Sequence, residues 1–585
     1  MTTSRTDEPT AAPPPVTVSE AGGHRTGTSL AVRRGVSVFV VFLAALPALL
    51  GLGDVLRDEG KPYSLIGDAA ILALNVDAVG EQDVLLGAFS RFGWYHPGPM
   101  ITYLLAVPYH LMDGATESLA VGALVVGAIS SAAAVWLVRR RAGLLVAAWT
   151  LLVLTVSVRL LGADFLRDSW NPHVSVLPLL AGALLCWTAI RGDAWALPVA
   201  VVPLSLALQS HLGYLPPVGA ICAVLGVGLV VRAVRRVRTG AGGTEPPRRP
   251  VRWLVAGVSA VPVALLVWWP PLKEELTVDP GNISKLVDYM REGSPEETLS
   301  VPTALRAVAD EFGRLPAYAV GVDLPRLPFI PYLVPPVAIA VGVALFVVAV
   351  VNGLRRRRAD VLWLGALTLA VAAAAVAAVA RVDGPPYYYL TRWTVVIGIL
   401  AWTTVGLSLL PELAGAVRRM LPGDRPASVA RTVLGVPLVA LATAAVLVTG
   451  LGTARAQTPM TEVTGDLERL GQAVVDDLDR LGLRTESDAP AVRVDFAPTT
   501  RDELLGTYWS GCGLALELQR AGVDVQINPF FVLQFGERRT ERYDDAGYVA
   551  TFAYSDGTSP PPEPWQQLLA VGDEYQVYGG VPPVG

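Results

Sequence analysis

The feature that most constrains this chain is a repeating one: apolar runs of roughly 15 to 22 residues begin near positions 35, 118, 142, 174, 194, 212, 252, 329, 361, 393 and 432. Coiled as helices, and counted with their flanks, runs of that length match the hydrocarbon thickness of a bilayer. Eleven membrane spans are therefore expected. Composition agrees, because 52% hydrophobic residues against 17% charged ones leave more apolar surface than a water-soluble core can enclose. The fold class expected is an α-helical polytopic membrane protein of about 11 transmembrane helices with a small C-terminal extracytoplasmic α/β domain.

Arginines cluster between the runs, at Arg33 and Arg34, Arg139 to Arg141, Arg191, Arg232 to Arg238, Arg355 to Arg358, and Arg418 and Arg419. Eleven crossings put all of them on the cytoplasmic side, as the positive-inside bias requires. The stretch from Ser90 to Met112, SRFGWYHPGPMITYLLAVPYHLM, bears on that count. Read as a twelfth span, it would move the clusters at 139, 232 and 355 outside together. It is also short, contains Pro108 and ends near His110, so a surface-lying or re-entrant helix in the first outer loop is expected, with a kinked span as the competing reading. A net charge of −5 and arginines placed beside apolar runs exclude nucleic acid as a partner. Cys186, Cys222 and Cys512 imply no disulfide framework.

The expected division is a disordered cytoplasmic tail over 1–32, a membrane domain over 33–452 and an extracytoplasmic α/β domain over 453–585. In the last of these, TEVTGDLERLGQAVVDDLDRLGL and GTYWSGCGLALELQRAG read as helices, and AVRVDFA and VDVQI as strands joined by a parallel crossover. The glycines around Cys512 are too sparse for a phosphate loop and read as helix-packing positions. SPPPEPW and GGVPPVG read as irregular tail.

With eleven spans, four of the five histidines fall at one membrane face. Four segments concentrate polarity there, which is costly beside apolar spans unless the groups pair or hold a ligand. GDAAILALNVD sets Asp68 at a helix start, where it is either a simple N-cap or a functional carboxylate, and Asp77 on the opposite side. GADFLRDSWNPH packs Asp164, Arg167, Asp168, Asn171 and His173 together; Arg167 and His173 can hold a phosphate oriented by Asp164 or Asp168, or form a self-satisfied ion pair and cap. QSHLGY places Gln209 and His211 in a very short turn, where the histidine can donate to a phosphate or cap a helix. VWWPPLKEELTVDPGN stops a span at Pro270 and Pro271 and opens an amphipathic segment near Asn282. The spacing matches no compact metal-ligand motif, and no metal or other cofactor is expected.

Together GDAA, RFGWYHPGP, RDSWNPH, QSH and WWPP…GN, at successive outer span ends over residues 35–410, resemble the GT-C superfamily of multi-span glycosyltransferases. The chain looks most like the bacterial branch related to protein O-mannosyltransferases and aminoarabinose transferases. That resemblance implies a polyprenyl-phosphate sugar donor, a cell-envelope glycan, lipid or protein acceptor, surrounding membrane lipids and an active site on the outer face of a bacterial cell membrane. It implies that Asp68 takes the proton from the acceptor hydroxyl. The single acidic residue of GDAA departs from the doubled pair of several relatives, which tells against metal assistance. Arg167, His173, His211 and Arg392 are then expected around the donor phosphate, and His96, Asp168, Asn171 and Gln209 around substrate. One positioned base and no second nucleophilic carboxylate imply inversion at the anomeric carbon. The competing class is a transporter or flippase of lipid-linked sugars, which would show internal repeats and mid-membrane ionisable groups; none are evident.

Overall fold

The structure is a computed structural model that describes residues 23–57, 63–238, 248–293, 296–324, 333–385, 387–421, 427–484, 490–497, 504–559 and 562–583. Most of the expected N-terminal tail lies outside these. From the N-terminus, helix α1 (Gly23–Val55) is followed by strand β1 (Ser64–Leu65), α2 (Gly67–Asp77), α3 (Met100–Leu111), α4 (Ser118–Ala142) and α5 (Leu144–Leu161). Next come the interrupted pair α6 (Asn171–Val174) and α7 (Val176–Ile190), then α8 (Ala196–Ser210), α9 (Leu215–Arg238), α10 (Arg248–Thr277), α11 (Asn282–Glu292) and α12 (Val301–Ala319). The helical part closes with α13 (Pro336–Arg355), α14 (Ala359–Val379), α15 (Val395–Met420) and α16 (Ala427–Arg455).

Among the described residues 10 helices are long and apolar enough to cross a membrane, α6 and α7 counting as one. The remaining expected run is α8, whose 15 residues rise about 22 Å and pack between α7 and α10. Ten long helices plus α8 thus match the eleven expected runs. Helix α3, with 12 residues, rises only about 18 Å and is too short to span. Its Ile101, Leu105 and Tyr109 face the protein, while Val107 and Leu111 are 60% and 79% exposed. An apolar exposed stripe on a short helix suits one lying at a membrane surface.

The arginine clusters gather at one end of the bundle through ion pairs and hydrogen bonds. Arg139 donates to Ser37 where the apolar part of α1 begins, Arg140 pairs with Asp193 at 2.8 Å, and Arg191 pairs with Asp360 at 2.6 Å. Arg358 joins Glu412 near the end of α15 at 2.6 Å. The four polar segments singled out in the sequence lie at the opposite end. Here α12, an element the apolar pattern does not announce, packs against α13, α14 and α15.

Beyond α16, strand β2 (Thr461–Glu462) and helix α17 (Asp466–Arg480) lead into β3 (Val492–Phe496), α18 (Leu504–Arg520), β4 (Val525–Ile527), the short α19 (Val532–Phe535), β5 (Tyr548–Tyr554), β6 (Gln567–Val571) and β7 (Tyr575–Gly580). The five-stranded sheet has the order β4-β3-β5-β7-β6. The expected parallel crossover from β3 to β4 is present, with Val492 opposite Val525. The stretches expected to be irregular, SPPPEPW and GGVPPVG, lie outside strands and helices where they are described, except for Gly579 and Gly580; between them β6 and β7, which the sequence pattern does not announce, pair antiparallel, and β7 runs to Gly580 against β5. β6 and β7 form a local hairpin, and β7 is held against β5 by pairs as remote as Val549 and Gly580, which local composition cannot report.

This C-terminal unit is sewn to the first loop. Strand β1 pairs antiparallel with β2, Leu65 opposite Thr461. One hydrophobic core contains Leu65, Ala70 and Leu74 of the first loop together with Leu467, Val494, Leu514 and Tyr548.

Candidate active site

At the end of the bundle away from the arginine clusters, the loops enclose a cavity of about 590 Å³, lined by Asp68, Trp94, His96, Trp170, Asn171, His211, Tyr289, Tyr389 and Trp393 among others. A pocket of that size with aromatic walls and few polar groups suits a small organic ligand.

Asp68 sits in the first turn of α2, yet it is not the cap: Ile66 holds the N-cap position with no side-chain cap bond. Its carboxylate instead takes a hydrogen bond from the Trp170 side chain. Burial pushes the Asp68 carboxyl up to about 6, opposed by that Trp170 bond. The N-cap alternative is thereby removed. Asp77, at the other end of α2, accepts from Tyr109 at 3.2 Å and Gln519 at 2.7 Å, so it ties elements together.

The segment from Asp168 to His173 is fixed by its own polar groups. Asp168 accepts the Trp170 backbone N–H at 3.0 Å and pairs with His173 Nδ1. Asn171 donates to the Ser210 carbonyl at 2.7 Å, and Tyr214 donates to the Pro172 carbonyl at 2.8 Å. These bonds hold Trp170 between His173 and Tyr389, with ring centroids 5.1 and 4.6 Å away. His173 Nε2 is buried with no partner. One nitrogen of Arg392 lies 3.2 Å from His173 Nδ1, its Nε is buried and unpartnered, and its guanidinium stands over the Tyr388 ring at 5.3 Å. Arg314 reaches the Tyr388 hydroxyl at 3.3 Å and pairs with Glu311 at 3.0 Å.

The His96 and His211 rings lie against each other at a tilt of 41°, with centroids 4.3 Å apart. Each uses Nδ1 as an acceptor, from Leu212 N–H at 3.2 Å and from Gly213 N–H at 3.0 Å. That leaves Nε2–H as the free donor of a neutral ring. Burial and then the neighbouring His173 push His211 down to about 4; burial and then His211 hold His96 well below its ordinary value. Both are neutral near pH 7, able to donate a hydrogen bond but not to supply positive charge.

The structure thus brings together Asp68, His96, Asn171 and His211 on the cavity wall, with Asp168, His173 and Arg392 packed beside them. Arg167 and Gln209 are elsewhere. Arg167 is 4% exposed; it pairs with Asp54 and donates to the Thr453 and Ala454 carbonyls at 2.8 and 2.7 Å. Gln209 accepts Met100 N–H at 3.2 Å and donates to the Val267 carbonyl at 2.7 Å, joining α3, α8 and α10. Sequence reasoning missed Trp170, Tyr389 and Trp94 as wall residues; the run YYYL at 387–390 was the available signal. The WYHP loop is clamped by Asn282, which both accepts from Tyr95 N–H at 2.8 Å and donates to its carbonyl at 2.9 Å. Among the described residues no group of three metal-ligating side chains assembles.

No family model and no curated protein matches the chain. Among solved structures the chain is similar to ArnT from Cupriavidus metallidurans bound to undecaprenyl phosphate, at TM-score 0.48 and 14% identity over 95% of this chain and 98% of that one. The apo state of the same protein gives TM-score 0.47 at 14% identity over the same shares. The arabinofuranosyltransferase AftD from Mycobacteria gives 0.40 at 13% identity over 94% of this chain and 40% of that one. Likenesses of this strength concern chain architecture and carry no functional weight.

Proposed function

We propose that this chain is a glycosyltransferase that moves a sugar from a polyprenyl-phosphate donor to a cell-envelope glycan, lipid or protein acceptor at the outer face of a bacterial membrane, with inversion. The observation that carries the reading is Asp68: a partly buried carboxylate with a raised pKa, on the wall of an aromatic cavity, hydrogen-bonded to Trp170. Near pH 7 it is mostly ionised and a stronger base than an ordinary carboxylate, which is what proton abstraction from a hydroxyl needs. Asp68 takes the acceptor proton, the oxygen bonds to the anomeric carbon, and the carbon–oxygen bond to phosphate breaks. The lipid phosphate leaves with the electron pair. Arg392 is a cation packed beside the site, with Arg91, Arg291 and Arg381 on the cavity wall, and His211 and His96 are neighbouring donors that can receive the phosphate charge, with His173 next to them. Asp168 fixes His173, and Asn171 fixes the turn that carries Trp170.

Purified protein incubated with a panel of polyprenyl-phosphate sugars is expected to release lipid phosphate with at least one of them. Asp68→Asn is expected to bind that donor normally while transfer falls about a hundredfold or more, the usual scale of a general-base contribution. Near-normal transfer by a folded Asp68→Asn would remove Asp68 from the chemistry.

A further inference from the structure

The C-terminal unit makes contacts along the whole of α2 that exceed what tethering requires. At the N-terminal end, Gly67 has φ +53, and a Cβ there would stand 2.2 Å from the Trp509 indole of α18. One turn further along α18, a Cβ on Gly513 would stand 2.5 Å from the Leu65 carbonyl oxygen. That oxygen is backbone, so it cannot swing aside. Glu517 of α18 hydrogen-bonds Ser64, Gln519 reaches Asp77 at 2.7 Å, and Arg539 reaches the Leu74 carbonyl at 2.9 Å. Tyr508 and Cys512 of α18 lie within electrostatic range of Asp68. The glycine-flanked Cys512 is therefore a close-packing surface in which Gly513 meets the first loop and Gly511 meets Phe496 of the unit's own sheet.

We propose that the C-terminal unit is a working part of the catalytic site: α18, seated on the first loop through Trp509 on Gly67 and Gly513 on Leu65, fixes the position of Asp68 and keeps water from it. Gly513 and Trp509 are positioning residues. This rests on Asp68 being the base, but its physical content, control of the Asp68 environment by α18, stands apart from the reaction. The titratable groups coupled to Asp68 are Tyr508 and Cys512 from α18 and Tyr389 from the segment before α15, with His96, His211, Arg291, Glu292, Arg381 and the Arg91–Asp383 contact on other parts of the cavity wall. Neither α18 group is a cation and burial is the chief cause of the raised Asp68 value, so what α18 supplies is exclusion of water.

The test uses the full chain in detergent. Gly513→Ala forces α18 off β1, and Trp509→Leu opens the same seam without adding bulk should the first variant misfold. Carbodiimide coupling to a small amine, followed over pH by peptide mass spectrometry, reports when Asp68 loses its proton, independently of activity. The labelling midpoint at Asp68 is expected near pH 6 in the parent and at least half a unit lower in either variant, because a hydrated carboxylate returns toward its ordinary range. In parallel, kcat should fall at least tenfold with donor Kd unchanged, and the acid limb of the pH–rate profile should move with the labelling midpoint. An unmoved midpoint in both folded variants would overturn the proposal. Moved midpoints in a protein that transfers no sugar from any donor would uphold the control of Asp68 and defeat the glycosyltransferase reading instead.

Discussion

Asp68 has a cost that its chemistry explains. A carboxyl whose value rises from 3.8 unfolded to about 6 folded binds its proton more tightly in the folded state. Its contribution to stability is full below pH 4 and is lost as pH rises through 6. Above that, the fold carries an ionised group in a poorly hydrated place. Asp68→Asn removes the charge and keeps an oxygen for Trp170 to bond. The variant is expected to match the parent in thermal unfolding near pH 4 and to exceed it above pH 6, by an amount on the order of 2 kcal/mol once partial solvent access is allowed for. Unfolding curves in detergent at pH 4, 6 and 8 check this; equal stability at pH 8 would mean that Asp68 is hydrated. A base that destabilises its own fold is the usual mark of a working residue. Arg392 is placed for the opposite charge, with a buried Nε that has no partner and a neighbouring His173 Nε2 in the same condition. Arg392→Ala is expected to weaken binding of free polyprenyl phosphate roughly ten- to a hundredfold, on the scale of a lost charge-assisted bond, as measured by titration calorimetry; unchanged affinity would move the phosphate elsewhere.

Arg167 works at the scale of elements. It joins Asp54 near the end of α1 to the carbonyls of Thr453 and Ala454 near the end of α16, across a one-turn segment before α6. Arg167→Ala leaves two carbonyls and a half-buried carboxylate without their donor, a loss on the order of 3 kcal/mol. A lowered Tm with donor affinity intact is the expected outcome, and calorimetry on the refolded variant checks it; weaker donor binding at unchanged Tm would restore Arg167 to the site. The sequence put Arg167 beside His173 because the two are six positions apart, but spacing along an irregular segment says nothing about which way a side chain leaves it. Spans were legible because one-sided solvent, the bilayer, imposes length and composition on each run separately. The short α3 was legible for the same reason, being too brief to cross. What escaped was chiefly what depends on a distant partner: α12, whose Glu311 packs against Arg314 and Thr394; the β5–β7 ladder, which joins residues as remote as Val549 and Gly580; and Trp94, Trp170 and Tyr389 of the cavity wall, which come from three separate segments. Asp68 itself was visible in GDAA, but its choice of Trp170 over the helix terminus was not.

For the whole molecule, the arrangement amounts to a polarity between two ends. Arginines pair with Asp193, Asp360 and Glu412 at one, while the cavity, the histidines and the C-terminal sheet occupy the other. Membrane insertion retains positive charge on the cytoplasmic side, so the cavity end is expected to face outward. The probe positions must be exposed in the fold, so that protection reports the membrane and not packing. Val463, 56% exposed beside β2, meets that need on the cavity side, and Arg419, exposed at the end of α15, meets it on the arginine side. Cys222 is exposed on the spanning helix α9, and so that no native thiol contributes before or after lysis the parent for this test has Cys186, Cys222 and Cys512 replaced by alanine or serine. In intact cells a membrane-impermeant maleimide is expected to label Val463→Cys and not Arg419→Cys, with both labelled after lysis. Labelling of Arg419→Cys alone would invert the protein and put the cavity in the cytoplasm, where a polyprenyl-linked donor would have to be drawn from the inner leaflet. Labelling of both in intact cells would mean that α16, the one span between Arg419 and Val463, does not cross the membrane, and would break the eleven-span count.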